Sequence, residues 1–361
     1  MTHYEERLER DLQTIREHIG ALATRVDAAV EKSVHALLHF ERELASRVIL
    51  NDYPINALRR EIENLCHVFV ARHLPSAGIL RYISSVLRLT VELERIGDYA
   101  VSMARETVQL EKRLPETVSR DLDMLARHSR SGLQLALESF QDGNVELARG
   151  TRKQASEARA DFDQVYLDLL HEAEQGTRPV TDIFAILFAF IRIMRINDQT
   201  RNICEETLFA VTGEAKGPGR FRVLFVDEKS TFRSVMAKAI ARKAYPASGE
   251  YEIAGWQPAG GPDPKVLEFL DAHGHAVDAI TPQPLPATPA DLADYDVIVG
   301  LKGDTMPHLG MIPFRTTLIH WDVGPGTEDV ELTDELLEAT YKELTTEVRE
   351  LMETLRGEQA C

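Results

Sequence analysis

The beginning of this 361-residue chain carries an apolar pattern that fits a helix lying along other helices. From residue 8, apolar side chains return at steps of four, three, four, three, four and four residues. These positions are Leu8, Leu12, Ile15, Ile19, Leu22, Val26 and Val30. Because an α-helix turns once every 3.6 residues, the spacing places all seven on one stripe. The pattern predicts a first helix that continues to about Val48, where a turn at residues 51–54 begins.

Two more helical segments follow, at residues 55–73 and 79–110, with Pro75 and Gly78 in the turn between them. Three long helices joined by short turns predict one up-and-down bundle. The same plan recurs about 100 residues later, where the order Ile-Gly-Asp at residues 96–98 becomes Ile-Asn-Asp. The recurrence predicts an all-α domain over residues 1–211. Its two repeats span about 1–112 and 113–211.

An acidic pair lies on the third predicted helix of the first repeat. Glu94 and Asp98 are four residues apart, so their carboxylates project from one face and are close enough to share a hard cation. A solvated acidic surface is the alternative. In the second repeat Met194 replaces the first acid of the pair. A different set of oxygen ligands follows there at i, i+4 and i+7: Asp198, Asn202 and Glu205.

The motifs of both repeats resemble those of the PhoU family of phosphate-signalling regulators. The likeness rests on residues 74–81, on the Glu-Leu-Glu-Arg-Ile-Gly-Asp run at 92–98 and on Asn-Ile-Cys-Glu at 202–205. In that family an (E/D)xxxD signature lies on the third helix of each three-helix bundle. The resemblance covers about residues 5–210.

The resemblance implies a metal cofactor and a set of partners. Proteins of this family bind multinuclear metal clusters at the acidic helices, which makes Glu94 and Asp98 the ligands of a first site. Asp198, Asn202 and Glu205 would form a second. Iron, zinc, manganese and magnesium all remain open as the metal. The implied partners are components of the phosphate ABC transporter or the phosphate-sensing histidine kinase, and a homodimer is also compatible with the family.

A second domain follows a linker rich in glycine and proline at residues 212–220. Strand patterns and helix patterns then alternate over residues 221–361, which predicts a doubly wound parallel α/β sheet. The predicted strands are residues 221–226, 251–256, 296–300 and 317–321. The predicted helices are residues 234–244, 264–273 and 333–355, the last of which is expected to cover one face of the sheet.

The loop after the first strand resembles the phosphate loop of low-molecular-weight tyrosine phosphatases and of the related arsenate reductases. It sits at a strand-to-helix turn, where backbone N–H groups favour an anion. Arg-Ser at residues 233–234 matches the family pattern, but Asp227 stands at the position of the nucleophilic cysteine. Since a carboxylate cannot replace the thiolate in this chemistry, a pseudoenzyme is predicted. Four residues form the candidate anion-binding loop, with phosphate as a candidate ligand: Lys229, Ser230, Arg233 and Ser234.

The amino-acid composition excludes some classes of partner and location. The formal net charge of -17 argues against a nucleic-acid partner, because phosphate backbones are bound by basic faces. Three scattered cysteines and a start without a signal-peptide pattern favour a cytoplasmic protein. The longest apolar run spans only residues 183–191, so membrane association is expected through partners alone.

Three functions remain open from the sequence. The favoured one is a non-enzymatic regulator of phosphate transport and phosphate-responsive signalling, with a metal-binding helical domain and a pseudophosphatase module for sensing or docking. The second is a phosphatase or arsenate reductase that the helical domain regulates. The third is a metal-free structural scaffold.

Overall fold

The computed structural model describes residues 3–157, 161–176, 178–214, 220–277, 280–286, 288–313, 316–324 and 331–356. The chain divides into two compact units, Met1–Lys216 and Gly217–Cys361. The division falls inside the predicted linker, of which residues 215–219 lie outside the described part. Within the described residues, no helix combines the length and the apolar character needed to cross a membrane.

The first unit is entirely helical in its described residues. The helices of its first repeat are α1 (His3–His39), α2 (Arg42–Leu50), α3 (Asp52–His73) and α4 (Ala77–Gln109). Those of its second repeat are α5 (Glu116–Asp142), α6 (Val145–Glu157), α7 (Asp161–Gln175) and α8 (Val180–Thr212). Within the described residues each repeat therefore contains four helical segments, because another helix begins directly after the first long one.

The prediction of one uninterrupted helix up to Val48 is wrong. Phe40 has a left-handed backbone with φ of 60°, and the Glu41 N–H donates to the carbonyl of Ala36 at 2.8 Å. This is the hydrogen bonding of a helix C-terminus, and it redirects the chain into α2. The apolar pattern misses the break because apolar residues continue on both sides of it. In the second repeat Gly143 makes the same turn with φ of 62°.

The two repeats share one core, in which α4 packs on α8. Both helices are 33 residues long. Leu93 and Ile96 are buried on α4, and Ile193 and Ile196 are buried at the matching places on α8. The predicted all-α domain built from two repeats is therefore confirmed.

The second unit contains a five-stranded parallel sheet in the order β3-β2-β1-β4-β5. Its strands are β1 (Phe221–Asp227), β2 (Gly249–Gly255), β3 (Gln283–Pro284), β4 (Val297–Leu301) and β5 (Thr317–Trp321). Its helices are α9 (Arg233–Ala244), α10 (Pro264–Ala272), α11 (Pro289–Leu292), α12 (Met306–Leu309) and α13 (Asp334–Arg356). The predicted α/β class and the four longer strands are confirmed. The sequence reasoning missed β3, which has only two residues.

Alternate residues of β1 face opposite sides of the sheet, as the two-residue period of a strand requires. Val223 and Phe225 pack with α9, α10 and α13 in one core. Leu224 and Val226 belong to a smaller core on the other side. The prediction that the last helix covers one face of the sheet is thus confirmed. At the carboxyl edge Asp227 lies beside Gly255, which brings the loop after β1 against the end of β2.

Candidate functional site

The predicted acidic pair lies on α4 beside α3. Glu94 accepts a hydrogen bond from Arg59 of α3 at 3.2 Å, and the same arginine pairs with Glu63 at 2.7 Å. Asp98 is exposed on the same face as Glu94. Glu94 therefore already has a cationic partner, whereas Asp98 stands among acids.

The surroundings of Asp98 favour a positive charge. Although Asp98 is exposed overall, its carboxyl loses part of its hydration, and this desolvation raises its pKa; the negative charges of Asp52 and Glu94 raise it further, against the lowering effect of Arg105. Asp52 accepts a hydrogen bond from Asn56 Nδ2 at 2.8 Å. The Asn56 Oδ1 atom is buried and has no hydrogen-bond partner.

Four oxygen-bearing side chains thus line one edge between α3 and α4: Asp52, Asn56, Glu94 and Asp98. The sequence reasoning missed the two on α3. Their spacing of four residues was a usable signal, but only the fold shows that they lie beside the pair on α4.

The three residues of the second predicted set, Asp198, Asn202 and Glu205, have different surroundings along α8. Asp198 accepts a hydrogen bond from Arg195 at 3.3 Å. Asn202 donates to Glu92 of α4 at 3.4 Å, and with Glu205 it lines a groove between α4 and α8. Asp198 is not among the residues that line this groove. Met194 is buried, so the position matching Glu94 belongs to the core.

The donor set of the first repeat fits a hard cation better than that of the second. Carboxylate and amide oxygens are the ligands that magnesium, calcium and manganese prefer, and the orphaned Asn56 oxygen is available as one. Among the residues that the structure describes, however, no three His, Cys, Asp or Glu side chains are arranged to hold a metal ion. Arg59 also competes with a cation for Glu94. A metal bound there would take its ligands from among the four side chains at the α3–α4 edge and would place a fixed positive charge between the two helices.

The candidate loop in the second unit closes around the carboxylate of Asp227. This side chain is fully buried at the end of β1. Its Oδ1 atom accepts from the Ser230 N–H at 2.6 Å, and its Oδ2 atom accepts from the Ser234 N–H at 2.9 Å. Burial raises the pKa of Asp227, while hydrogen bonds from Ser234 and Ser230 and the positive charge of Arg233 act in the opposite direction.

Three of the four predicted loop residues, Ser230, Arg233 and Ser234, lie around this carboxylate. Ser230 has a left-handed backbone with φ of 53°, which turns its N–H toward Asp227. The backbone carbonyls of Glu228 and Lys229 accept from N–H groups at residues 257 and 259, so the loop is fixed to the segment after β2. A Cβ on Gly255 would lie 2.7 Å from the Glu228 carbonyl oxygen, so only glycine permits this approach.

Arg233 is only 1 % exposed and begins α9. A Cβ on Gly324 would lie 3.3 Å from its Nε atom, so the chain after β5 covers the guanidinium closely. Lys302 forms an ion pair with the carboxylate of Asp322.

Comparison with known proteins assigns both units. The PhoU domain model matches residues 19–107 and 122–207, and the model for low molecular weight phosphotyrosine protein phosphatases matches residues 222–360. A phosphate-specific transport system accessory protein PhoU homolog from Pseudomonas aeruginosa is 29% identical over 215 residues, which are 58% of this chain and 88% of the relative. The Escherichia coli protein PhoU is 24% identical over 212 residues, 59% and 88% of the two chains.

A solved structure agrees with the sequence relatives. The crystal structure of PhoU from Pseudomonas aeruginosa aligns with a TM-score of 0.55 and 28% identity, covering 57% of this chain and 99% of its own. The N-terminal part of this chain is therefore a PhoU domain in two repeats, and its C-terminal part is a low molecular weight phosphotyrosine phosphatase domain.

Proposed function

We propose that this protein is an accessory regulator of phosphate transport. Its C-terminal domain senses a ligand or docks onto a partner protein and does not catalyse phosphoryl transfer. The relatives named as accessory proteins of the phosphate-specific transport system support the first half. The environment of Asp227 supports the second. The proposed partners are components of the phosphate ABC transporter or a phosphate-sensing histidine kinase.

The burial of Asp227 is the observation on which the non-enzymatic role rests. A carboxylate that attacks phosphorus must present one of its oxygen atoms to the substrate. The side chain of Asp227 instead has no exposed surface, and a backbone hydrogen bond from its own loop orients each of its oxygens. Two N–H groups of an anion-binding loop are thereby satisfied by the chain's own anion. An incoming phosphate would also meet a negative charge whenever Asp227 is ionised.

Hydrolysis of an aryl phosphate by the full chain tests the catalytic half of the proposal. We expect no turnover by the wild type above that of the Asp227→Ala variant under single-turnover conditions. Turnover that is present in the wild type and lost in Asp227→Ala would establish an enzyme instead.

Phosphate uptake tests the regulatory half. In phosphate-replete bacterial cells that lack their own PhoU protein, expression of the full chain should reduce the rate of radiolabelled phosphate uptake. A rate that is unchanged by comparable amounts of folded protein would contradict the proposed role.

We also propose that the α3–α4 edge binds a divalent cation, with oxygen ligands drawn from Asp52, Asn56, Glu94 and Asp98. The support is the raised pKa of Asp98 among acids and the orphaned buried oxygen of Asn56. Elemental analysis of protein purified without chelators should find metal in the wild type and less in a Glu94→Gln and Asp98→Asn double variant. Equal metal content in the two proteins would remove this pair from the site.

A further inference from the structure

The helical unit contains a second candidate site, a basic pocket between α1, α2 and α3. The cavity has a volume of about 450 Å³. Three cationic side chains line it, Arg25 and Lys32 from α1 and Arg47 from α2. No acidic residue lines it. The chain has a formal net charge of -17, so its composition does not predict three cationic side chains around one cavity.

The spacing of residues on two helices creates the pocket. Arg25 and Lys32 are seven residues apart on α1, with Ala28 between them at i+3, so all three lie on one face. On α2, Arg47 and Val48 turn the same way toward the cavity. The short side chain of the alanine leaves open the space that a larger residue would fill. The result is an apolar floor bordered by cations.

The three cations are not neutralised within the described part of the chain. No described carboxylate forms an ion pair with Arg25, Lys32 or Arg47. The acids on the neighbouring turns of α1 are engaged elsewhere, since Asp27 and Glu31 both pair with Arg130 of α5.

Two more features bear on the potential at this pocket. Asn51 and Pro54 also line it, but Asn51 caps both the C-terminus of α2 and the N-terminus of the 22-residue helix α3, so the opposite dipole ends of the two helices offset each other there. The carboxylates of Asp52, in the first turn of α3, and of Glu43, one turn before Arg47 on α2, add negative charge nearby. Neither acid is among the residues that line the cavity, whereas the three cations are.

We propose that this basic pocket binds a small organic phosphate that carries two or more phosphate groups and a flat aromatic ring, the chemistry of a nucleoside diphosphate or triphosphate. Three cations suit a polyanion better than a single phosphate, because each adds a charge-assisted hydrogen bond. The apolar floor, which includes Ala28, Val48 and Ile55, offers a surface for a ring. The volume falls within the range of small-molecule sites, about 300–1,000 Å³. The pocket adjoins the acidic edge between α3 and α4, because Asn51 and Pro54 flank Asp52 in the sequence, but its ligand does not depend on the proposed function.

Isothermal titration calorimetry of the full chain with ADP, in buffer without divalent metal, tests the proposal. We expect Arg25→Gln, Lys32→Gln and Arg47→Gln each to weaken ADP binding about tenfold or more, since a hydrogen bond to a charged group is worth at least that factor. The matched control is Arg60→Gln, which removes an exposed arginine of α3 outside the pocket and should leave the affinity unchanged.

Pyrophosphate binding tests the phosphate part of the ligand, and an Ala28→Leu substitution that fills the pocket tests the ring part. Ala28→Leu should weaken ADP binding and leave the weaker binding of pyrophosphate unchanged, because only the ring needs the floor. Helical circular dichroism should match the wild type in every variant that is compared. ADP binding that is absent at millimolar concentration, or equal in the wild type and the three cation variants, would overturn the proposal. Pyrophosphate that binds as tightly as ADP would overturn the assignment of an organic ligand.

Discussion

Replacing Asp227 by alanine should destabilise the C-terminal domain by about 3–5 kcal/mol. The substitution leaves the N–H groups of Ser230 and Ser234 without their acceptor, and each unsatisfied buried group costs about 1–3 kcal/mol. It also removes the carboxylate near Arg233, which is buried at the start of α9, and with it a negative charge whenever that carboxylate is ionised. Breaking a buried charge pair by removing one partner costs about 3–5 kcal/mol in other proteins, which sets the upper part of the range.

The position of the two tryptophans makes this effect measurable in the full chain. Trp256 and Trp321 are the only tryptophans of the sequence, and both lie in the C-terminal unit. Urea unfolding followed by tryptophan fluorescence therefore reports the stability of that unit alone. Asp227→Asn is the matched variant, because it keeps the volume and one acceptor oxygen. It should lose about 1–3 kcal/mol, since one N–H loses its acceptor, and so fall between the wild type and Asp227→Ala.

The opposite order would refute the reasoning. Groups held in place for ligand binding or catalysis are often costly to the folded state, and removing them stabilises the protein. An Asp227→Ala variant that unfolds at the same or a higher urea concentration than the wild type, with the same slope, would show that the carboxylate does not hold the loop. The loop would then be a site prepared for an external ligand, and the pseudoenzyme proposal would lose its main support.

Three further predictions concern pH and the helical unit. The folded-state pKa of Asp227 is raised, so its contribution to the unfolding free energy is complete below the ordinary pKa of 3.8 and declines as pH rises through the raised pKa. The difference in unfolding free energy between the wild type and Asp227→Asn, measured by tryptophan fluorescence, should therefore fall as pH rises through that window. Asp182→Ala should cost the helical unit about 3 kcal/mol, measured by circular dichroism at 222 nm, since this buried carboxylate accepts the N–H groups of residues 111 and 112. By the same assay, Leu93→Ala should cost about 2–5 kcal/mol through the cavity it leaves, and Leu74→Ala, on an exposed side chain, should stay within about 0.5 kcal/mol.

Local periodicity was enough to predict most of the architecture. The apolar stripe of α1 and the alternation of strand and helix after residue 220 each follow from short-range spacing, and the structure bears both out. The break at Phe40 was not predicted, because a helix that ends on a left-handed residue other than glycine gives no signal in the amino-acid sequence. The same turn in the second repeat uses Gly143, which is the more visible signal.

The sites were harder to predict because they depend on neighbours from other helices. The pair Glu94 and Asp98 was visible on one helix, but the arginine that pairs with Glu94 comes from α3 and is 35 residues away in sequence. Asp52 and Asn56 become candidates only once α3 is known to lie beside α4. For Asp227, the sequence showed the missing cysteine but not that the carboxylate turns inward and takes two hydrogen bonds from its own loop.

The two units differ in whether a carboxylate of the chain already occupies the surroundings of their cationic side chains, and this difference predicts where an anion binds. In the C-terminal domain the carboxylate of Asp227 already accepts the N–H groups of Ser230 and Ser234, so it would compete with a phosphate for the loop. In the helical unit Arg25, Lys32 and Arg47 line an open cavity, and no acid is among its lining residues. Electrostatic free energy therefore favours an external phosphate group in the basic pocket over the loop. If this protein responds to a phosphorylated ligand, the Arg47→Gln variant should need about ten times more ligand for the same response, whereas a folded Arg233→Gln variant should respond as the wild type does.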